Sequence, residues 1–156
     1  MEYTHVKHTF LPVYDEESRI LILGSFPSVK SRENQFYYGH PQNRFWKVIA
    51  GIFKEPLPQT IDEKKELLLR HRIAVWDVID SCDIVGSSDS SIRNVVPNDM
   101  NLILSNAKIQ GIFANGGKAH QLFVKYCNKE GMPPVGKLPS TCLLYTSPSP
   151  RDRQKS

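Results

Sequence analysis

The chain has 156 residues, of which 40% are apolar, 23% charged and 10% aromatic, a profile that excludes a disordered chain, a collagen-like repeat and a heptad rod. At this length one core can bury roughly 70% of the surface that the unfolded chain exposes, and no apolar run reaches the ~18 residues of a membrane span. The formal charge of +4 and the pI near 9.0 suit a polyanionic partner without requiring one.

Residues 19–24, RILILG, form a continuous apolar run closed by glycine, which predicts a strand buried on both faces. Residues 24–42 are too irregular for an element and too aromatic for an idle linker. In residues 43–53, Phe45, Ile49, Ile52 and Phe53 fall at helical spacing. Asp62 is placed to cap a helix through EKKELLLRH, acidic early and basic late as the macrodipole prefers. Residues 73–78 read as a second strand and residues 81–97, with GSSDSS inside, as a long polar loop. Pro97 and Asn98 introduce a helix through Ala107, and residues 109–114 form a third strand. Asn115, Gly116 and Gly117 turn into a helix through Tyr126, and residues 135–138 make a short last strand after Pro133 and Pro134.

Strands alternating with helices predict an α/β protein, a three-layer α/β/α sandwich on a four-stranded parallel sheet with right-handed crossovers. In such a sheet the site is built by the loops leaving the carboxyl ends of the strands. Those loops follow Gly24, Asp77, Ala114 and Leu138, and the polar and glycine-rich residues collect in them.

The first loop reads GSFPSVKSRENQFYYGHPQNRFW. Glycine directly after a strand lets a ligand approach the backbone closely. The loop delivers Ser25, Ser28, Ser31, Tyr37, Tyr38, His40 and Asn43 before its helix begins. It lacks the spacing of a Walker loop, of a dinucleotide fingerprint and of a nucleophile elbow at Ser25. By itself G-S-x-P-S is a tight turn, but an exposed tyrosine pair followed by HPQN cannot all be core. Asn43 is an ordinary helix cap unless something else claims it. Elsewhere the plain readings hold. His5, His8 and His71 read as solvated surface, Trp46 and Trp76 as core anchors, and Lys64, Lys65, Arg70 and Arg72 as a solvated helix face. Asp77, Ser81 and Asp89 sit where a strand-end loop could carry a site residue. His40, His120 and Asp77 lack the convergent spacing of a metal site. Cys82, Cys127 and Cys142 are far apart and odd in number, as expected of reduced thiols. The amino-terminal MEYTHVKHTF has no apolar stretch of a signal peptide, so a cytoplasmic location is expected.

GSFPS, an aromatic-rich loop and then HPQNRFW resemble the uracil-DNA glycosylase superfamily. The HPxNRFW stretch is similar to its mismatch-specific and thymine-DNA branches. GSFPS with YYGHPQN is most similar to the hypoxanthine (deoxyinosine) DNA glycosylase branch, as are VWDVIDSC, GSSDSSIRN, ANGGKAHQLF and LPST, in that order along residues 19–141. The resemblance implies hydrolysis of the bond joining a damaged base to deoxyribose, without metal or other cofactor. Damaged DNA, double- or single-stranded, would be the partner, with no membrane and a monomeric enzyme. Other branches carry an Asp or Asn at the third residue of the first motif to handle the attacking water. Phe26 stands there, at a base-binding position, and Asn43 is implied as the catalytic substitute. Tyr38 matches the aromatic on which the flipped base stacks and Asn115 an asparagine at the base edge. Ser25 and Ser28 in GSFPS, and Ser140 and Thr141 in LPST, are implied DNA contacts.

The residue types suit that chemistry. A base must leave the duplex stack before its glycosidic bond is reachable, and an aromatic platform then holds it. Three other readings compete. One is uracil or thymine removal by the same scaffold, which Phe26 argues against. A second is a noncatalytic DNA-binding domain, which Asn43 and Asn115 disfavour. The third is a small-molecule α/β enzyme acting on nucleosides or phosphate esters.

The end of the chain differs in character. Residues 142–152, CLLYTSPSPRD, resemble the translation of a sequencing-library adapter, so residues 142–156 are expected to be non-native and residues 1–141 an incomplete domain. Leaving out Arg151, Asp152, Arg153 and Lys155, three positives less one negative, takes the formal charge from +4 to +2. A domain cut near Thr141 is expected to lose its DNA-pressing loop and a covering helix, and to be poorly soluble and inactive or nearly so.

Overall fold

The computed structural model describes residues 2–39 and 43–138. Its strands are β1 (Thr4–Lys7), β2 (Ile20–Gly24), β3 (Ile73–Asp77), β4 (Ile79–Ile84), β5 (Arg93–Pro97), β6 (Gly111–Asn115) and β7 (Val135–Leu138). Its helices are α1 (Val29–Asn34), α2 (Phe45–Ile52), α3 (Ile61–Arg70), α4 (Asn101–Leu104) and α5 (Gly117–Tyr126). None of these helices is long and apolar enough to cross a membrane. The expectations for His40, for Ser140 and Thr141 and for residues 142–156 lie outside the described residues.

The apolar runs behave as their composition requires. β2, β3, β6 and β7 form a parallel sheet in the order β3-β2-β6-β7. Leu21, Leu23, Ala74, Val75 and Ile112 within it are sealed from solvent, as in a sheet covered on both faces. The chain steps from β2 to one side, then returns past it to β6 and β7. Since crossovers between parallel strands are right-handed, that reversal sends α1–α3 and α4–α5 to opposite faces. The α/β architecture with a four-stranded parallel sheet is therefore as expected.

Residues 81–97 are not a loop. β4 follows β3 after a single residue and pairs antiparallel with β1, Thr4 opposite Ile84 and Lys7 opposite Ser81, while β5 pairs antiparallel with its other edge. This three-stranded sheet was hidden by its polar residues, because only one of its faces is buried: Ile79, Ser81, Cys82 and Ile84 turn inward. Residues 24–42 contain the short α1, capped by Ser28, whose Oγ accepts the Ser31 N–H at 3.1 Å. On α2 the buried face is Phe45, Trp46, Ile49 and Ala50, and Ile52 stays exposed. Thr60, not Asp62, caps α3. Its Oγ1 accepts the Glu63 N–H at 3.1 Å, and Glu63 Oε1 in turn accepts the Gln59 N–H at 2.7 Å. Asp62 instead lies in the first turn, where its charge still favours the dipole. α4 is one turn, shorter than the expected helix. Trp46 and Trp76 are core residues, as read, and Cys82 and Cys127 are buried free thiols.

Candidate functional site

The strand order reverses between β2 and its two neighbours, and loops diverge there to opposite faces of the sheet. That crevice, at the carboxyl ends, is where open α/β sheets bind ligands. Register fixes what lines it. Gly24 is paired with Asp77 on β3, and Leu23 is paired with Ala114, so that Asn115 closes β6 at the same level. Asp77, Gly24 and Asn115 thus end three adjacent strands.

Gly24 is needed there by space. A Cβ on it would lie 2.4 Å from Asp77 Oδ1 and 3.3 Å from Tyr38 Oη. Tyr38 reaches this point from the first loop with a left-handed backbone, φ 54°. Its ring stacks on Phe45, with centroids 4.0 Å apart and planes at 20°. Its hydroxyl is buried beside the Asn115 amide, without a well-formed hydrogen bond among the described residues. Burial first, and then the charge of Asp77, raise the pKa of this phenol well above its usual value, against a smaller downward pull from Asn115. Tyr38 is therefore a neutral donor at the base of the crevice. Its neighbour Tyr37, expected to be exposed with it, belongs to the core. Tyr37 donates to the Leu11 carbonyl at 2.9 Å, and burial again drives its pKa up.

The Asp77 side chain is 5% exposed, and its Oδ2 lies 2.9 Å from Nε2 of His8, itself 3% exposed at the side chain. With a carboxylate as acceptor, the ring nitrogen is the donor. His8 was read as solvated surface. It is instead enclosed by Phe10, Tyr37 and Phe26, at centroid distances of 4.4, 5.9 and 6.2 Å. His71 is likewise not free surface, since it stacks on Phe53 at 3.8 Å and bonds Glu55. The Asp77 carbonyl accepts the Asn98 side-chain amide at 2.9 Å, which stitches β3 to the segment leading into α4.

The expected site residues divide by what holds them. Tyr38 and Asn115 meet in the crevice. Phe26 is buried as part of its wall, edge-on to His8, with the Arg32 guanidinium 5.7 Å from its ring centre. Ser25 is buried, and its carbonyl accepts the Ile79 N–H at 3.2 Å. The Ser28 hydroxyl is engaged in capping α1. Asn43 is half-buried and is not the cap of α2, a position held by Arg44 without a side-chain bond; its Oδ1 accepts the N–H of Phe45, the first residue of the helix, at 2.9 Å. Phe45, two residues on, carries the ring under Tyr38, so that bond ties Asn43 to the stacked pair. The turn after β4 lies beside the first loop, where Arg32 donates to the Gly86 carbonyl at 2.7 Å and Val29 N to Ser87 Oγ at 2.8 Å.

Among the described residues no group of three His, Cys, Asp or Glu side chains could hold a metal ion. A depression of about 380 Å³ lies at the other edge of the sheet. Ala107 and Ile109 before β6, and Gly131 and Pro133 before β7, line it, away from the convergent polar groups. Sequence reasoning missed His8 altogether and placed Asp77 only on a loop. A charged residue closing an entirely apolar strand was the signal for Asp77. Nothing local to THVKHTF marks His8.

Comparison with known proteins bears on this arrangement. A family model described as the uracil DNA glycosylase superfamily matches residues 11–156. A relative from Methanosarcina acetivorans named hypoxanthine DNA glycosylase is 40% identical over 116 residues, 73% of this chain and 73% of its own length. One of the same name from Methanosarcina barkeri is 36% identical over 116 residues, 72% of this chain and 73% of its own. A solution NMR structure from Methanosarcina acetivorans, provisionally named a uracil DNA glycosylase, superposes with a TM-score of 0.76 at 32% identity. It covers 94% of this chain and 88% of that one.

Proposed function

The chain belongs to the uracil DNA glycosylase superfamily, and from that premise we propose that it is a hypoxanthine DNA glycosylase, hydrolysing the N-glycosidic bond of a deaminated purine flipped out of DNA. The observation that carries this reading is the meeting of Asp77, the Tyr38 hydroxyl and Asn115 across three adjacent strand ends, in a chain whose relatives bear that name.

The chemistry follows from those residues. Extrusion exposes both faces and the polar edge of the base. Tyr38, backed by Phe45, offers an aromatic surface worth roughly 1–3 kcal/mol for a stacked base. Asn115 meets the polar edge with an amide that can both donate and accept. Asn43 orients water toward the anomeric carbon. The bond from that carbon to the base nitrogen breaks, its electron pair leaves with the base, and the proton given up by the attacking water ends, through solvent, on the departing base. Positive charge grows on the sugar meanwhile, as in other glycoside hydrolyses, and fixed amide dipoles steady the anionic base. Phe26 supplies no polar group to this step, which leaves Asn43 as the water-handling side chain of its loop. Ser25 and Ser28 of the first loop, with Ser140 and Thr141, contact the DNA backbone, which positions without reading sequence. The enzyme acts as a monomer in the cytoplasm.

The test is single-turnover release of base from duplexes carrying deoxyinosine or deoxyuridine at one position. Hypoxanthine release above a protein-free blank, weak in absolute rate but faster than uracil release, is expected. Release of uracil alone would move the function to the uracil branch, and release of neither would leave a DNA-binding domain.

A further inference from the structure

His8 precedes the span matched by the family model, yet it holds Asp77, the acidic side chain that ends β3 in the crevice. An anchor for the amino-terminal arm does not need this pair. β1 is already laddered to β4 over four residue pairs, and the His8 N–H donates to the Asp80 carbonyl at 2.7 Å. A buried ion pair is also a poor stabiliser, because two apolar residues of similar volume usually serve as well. What the pair does achieve is orientation. With Oδ2 engaged by His8 at 2.9 Å, Oδ1 is turned onto Gly24 at the switch point, where the Tyr38 hydroxyl also arrives.

A carboxylate oxygen fixed in that place selects by sign. Hypoxanthine, a 6-oxopurine, carries a ring N–H next to its carbonyl and can donate to it. Adenine, the parent base before deamination, has a bare ring nitrogen there, whose lone pair would face the oxygen. Leaving such a buried group without its partner is the strongest kind of rejection a small pocket can make. We propose that His8 is a positioning residue for base selection: it holds Asp77 so that Oδ1 accepts the ring N–H of a 6-oxopurine and refuses adenine. This rests on the glycosylase reading above. Asp77 contacts the base under this proposal, and His8 acts only through Asp77.

The experiment uses the full chain and three variants: His8→Ala, His8→Gln and the double variant His8→Phe/Asp77→Leu. Base release is measured on duplexes carrying hypoxanthine, adenine or unsubstituted purine, the last lacking the 6-oxo group and bearing the bare nitrogen. Free hypoxanthine and free purine are also titrated by NMR, read at the Gly24 and Asn115 amides, with thermal melting alongside. His8→Ala and the double variant should lose about tenfold of the preference for hypoxanthine over purine, more in KM than in kcat. His8→Gln, which can still present a side-chain N–H, should keep most of it. The double variant replaces both polar side chains with apolar groups, so it keeps the question answerable if His8→Ala fails to fold. A lower melting temperature with an unchanged preference would make the pair merely structural and overturn the proposal. If the wild-type chain releases no hypoxanthine, the glycosylase reading fails by itself. The free-base titration then decides the role of His8: a tenfold loss of preference in the variants upholds it, and an unchanged ratio overturns it.

Discussion

Replacing Gly24 by alanine adds only one carbon and two hydrogens, yet it should be among the most damaging small substitutions in the chain. The new Cβ would meet Asp77 Oδ1 at 2.4 Å and Tyr38 Oη at 3.3 Å. The first distance cannot stand, so the Asp77 carboxylate must turn away, and it cannot turn without breaking the 2.9 Å bond to His8. Overpacking of this kind costs about 1–3 kcal/mol, and a hydrogen bond to a charged group is worth about 1.5–3 kcal/mol. Together they suggest a loss of roughly 3–5 kcal/mol, or about 10 °C in Tm for a domain near this size. Thermal and urea unfolding of Gly24→Ala measure it. The cause is isolated by a double-mutant cycle with Asp77→Ala, which removes the atom that Cβ strikes. The double variant should be little worse than Asp77→Ala alone, so the coupling between the two positions should approach the full cost of Gly24→Ala, roughly 3–5 kcal/mol. A Gly24→Ala chain within about 0.5 kcal/mol of wild type, or simple additivity with Asp77→Ala, would refute the close approach of the two side chains to this backbone.

Other expectations are simpler. Asn43→Ala should lower single-turnover release of hypoxanthine by roughly 10²–10³-fold while costing only the ~1 kcal/mol of its lost bond to the Phe45 N–H; near-normal release would remove Asn43 from the chemistry. Tyr38→Ala should weaken binding of a duplex with an extruded base by roughly 1–3 kcal/mol more than binding of undamaged DNA, because stacking acts only after extrusion. Equal losses would make Tyr38 a general contact. Thr60→Ala should lower stability by about 1 kcal/mol through the α3 cap and leave base release unchanged, so a fall in activity would link α3 to the site. Burial pushes the Cys82 and Cys127 thiols up to about 11. At pH 8 both should resist alkylation in the folded protein and react once it is unfolded in urea; rapid labelling of the native chain would show that the two sites open.

The parallel sheet was legible because strands covered on both faces declare themselves as unbroken apolar runs, and RILILG and IAVWDV can be little else. The glycine-bearing turns at Gly24 and at Gly116 and Gly117 were legible for the same reason, since each closes a largely apolar run. The family resemblance carried by GSFPS, HPQNRFW and ANGGKAHQLF is borne out by the family model and the relatives. The antiparallel sheet was not legible, because IDSCDI buries one face and alternates too loosely for its period to show. Its partner, THVK, has no apolar face of its own. β1 is a strand because β4 offers it an edge, and no property of the residues 4–7 taken alone requires it.

The same physics explains why half of the crevice could be read and half could not. Tyr38 and Asn115 lie in loops whose composition is unusual, and each was found from its own neighbourhood. His8 and Asp77 are 69 residues apart, and His8 is not unusual where it stands. Their relation exists only after β1 has joined β4, because that ladder carries the arm past Asp80 and sets His8 over the end of β3. A histidine two residues before a phenylalanine in a polar segment is ordinarily surface. Here the segment is an edge strand, and the residue that follows it turns inward among Phe10, Phe26 and Tyr37. The part of the site that depends on pairing between distant strands is thus the part that composition cannot reveal. It is also the part through which an arm outside the shared family span can alter what the pocket accepts.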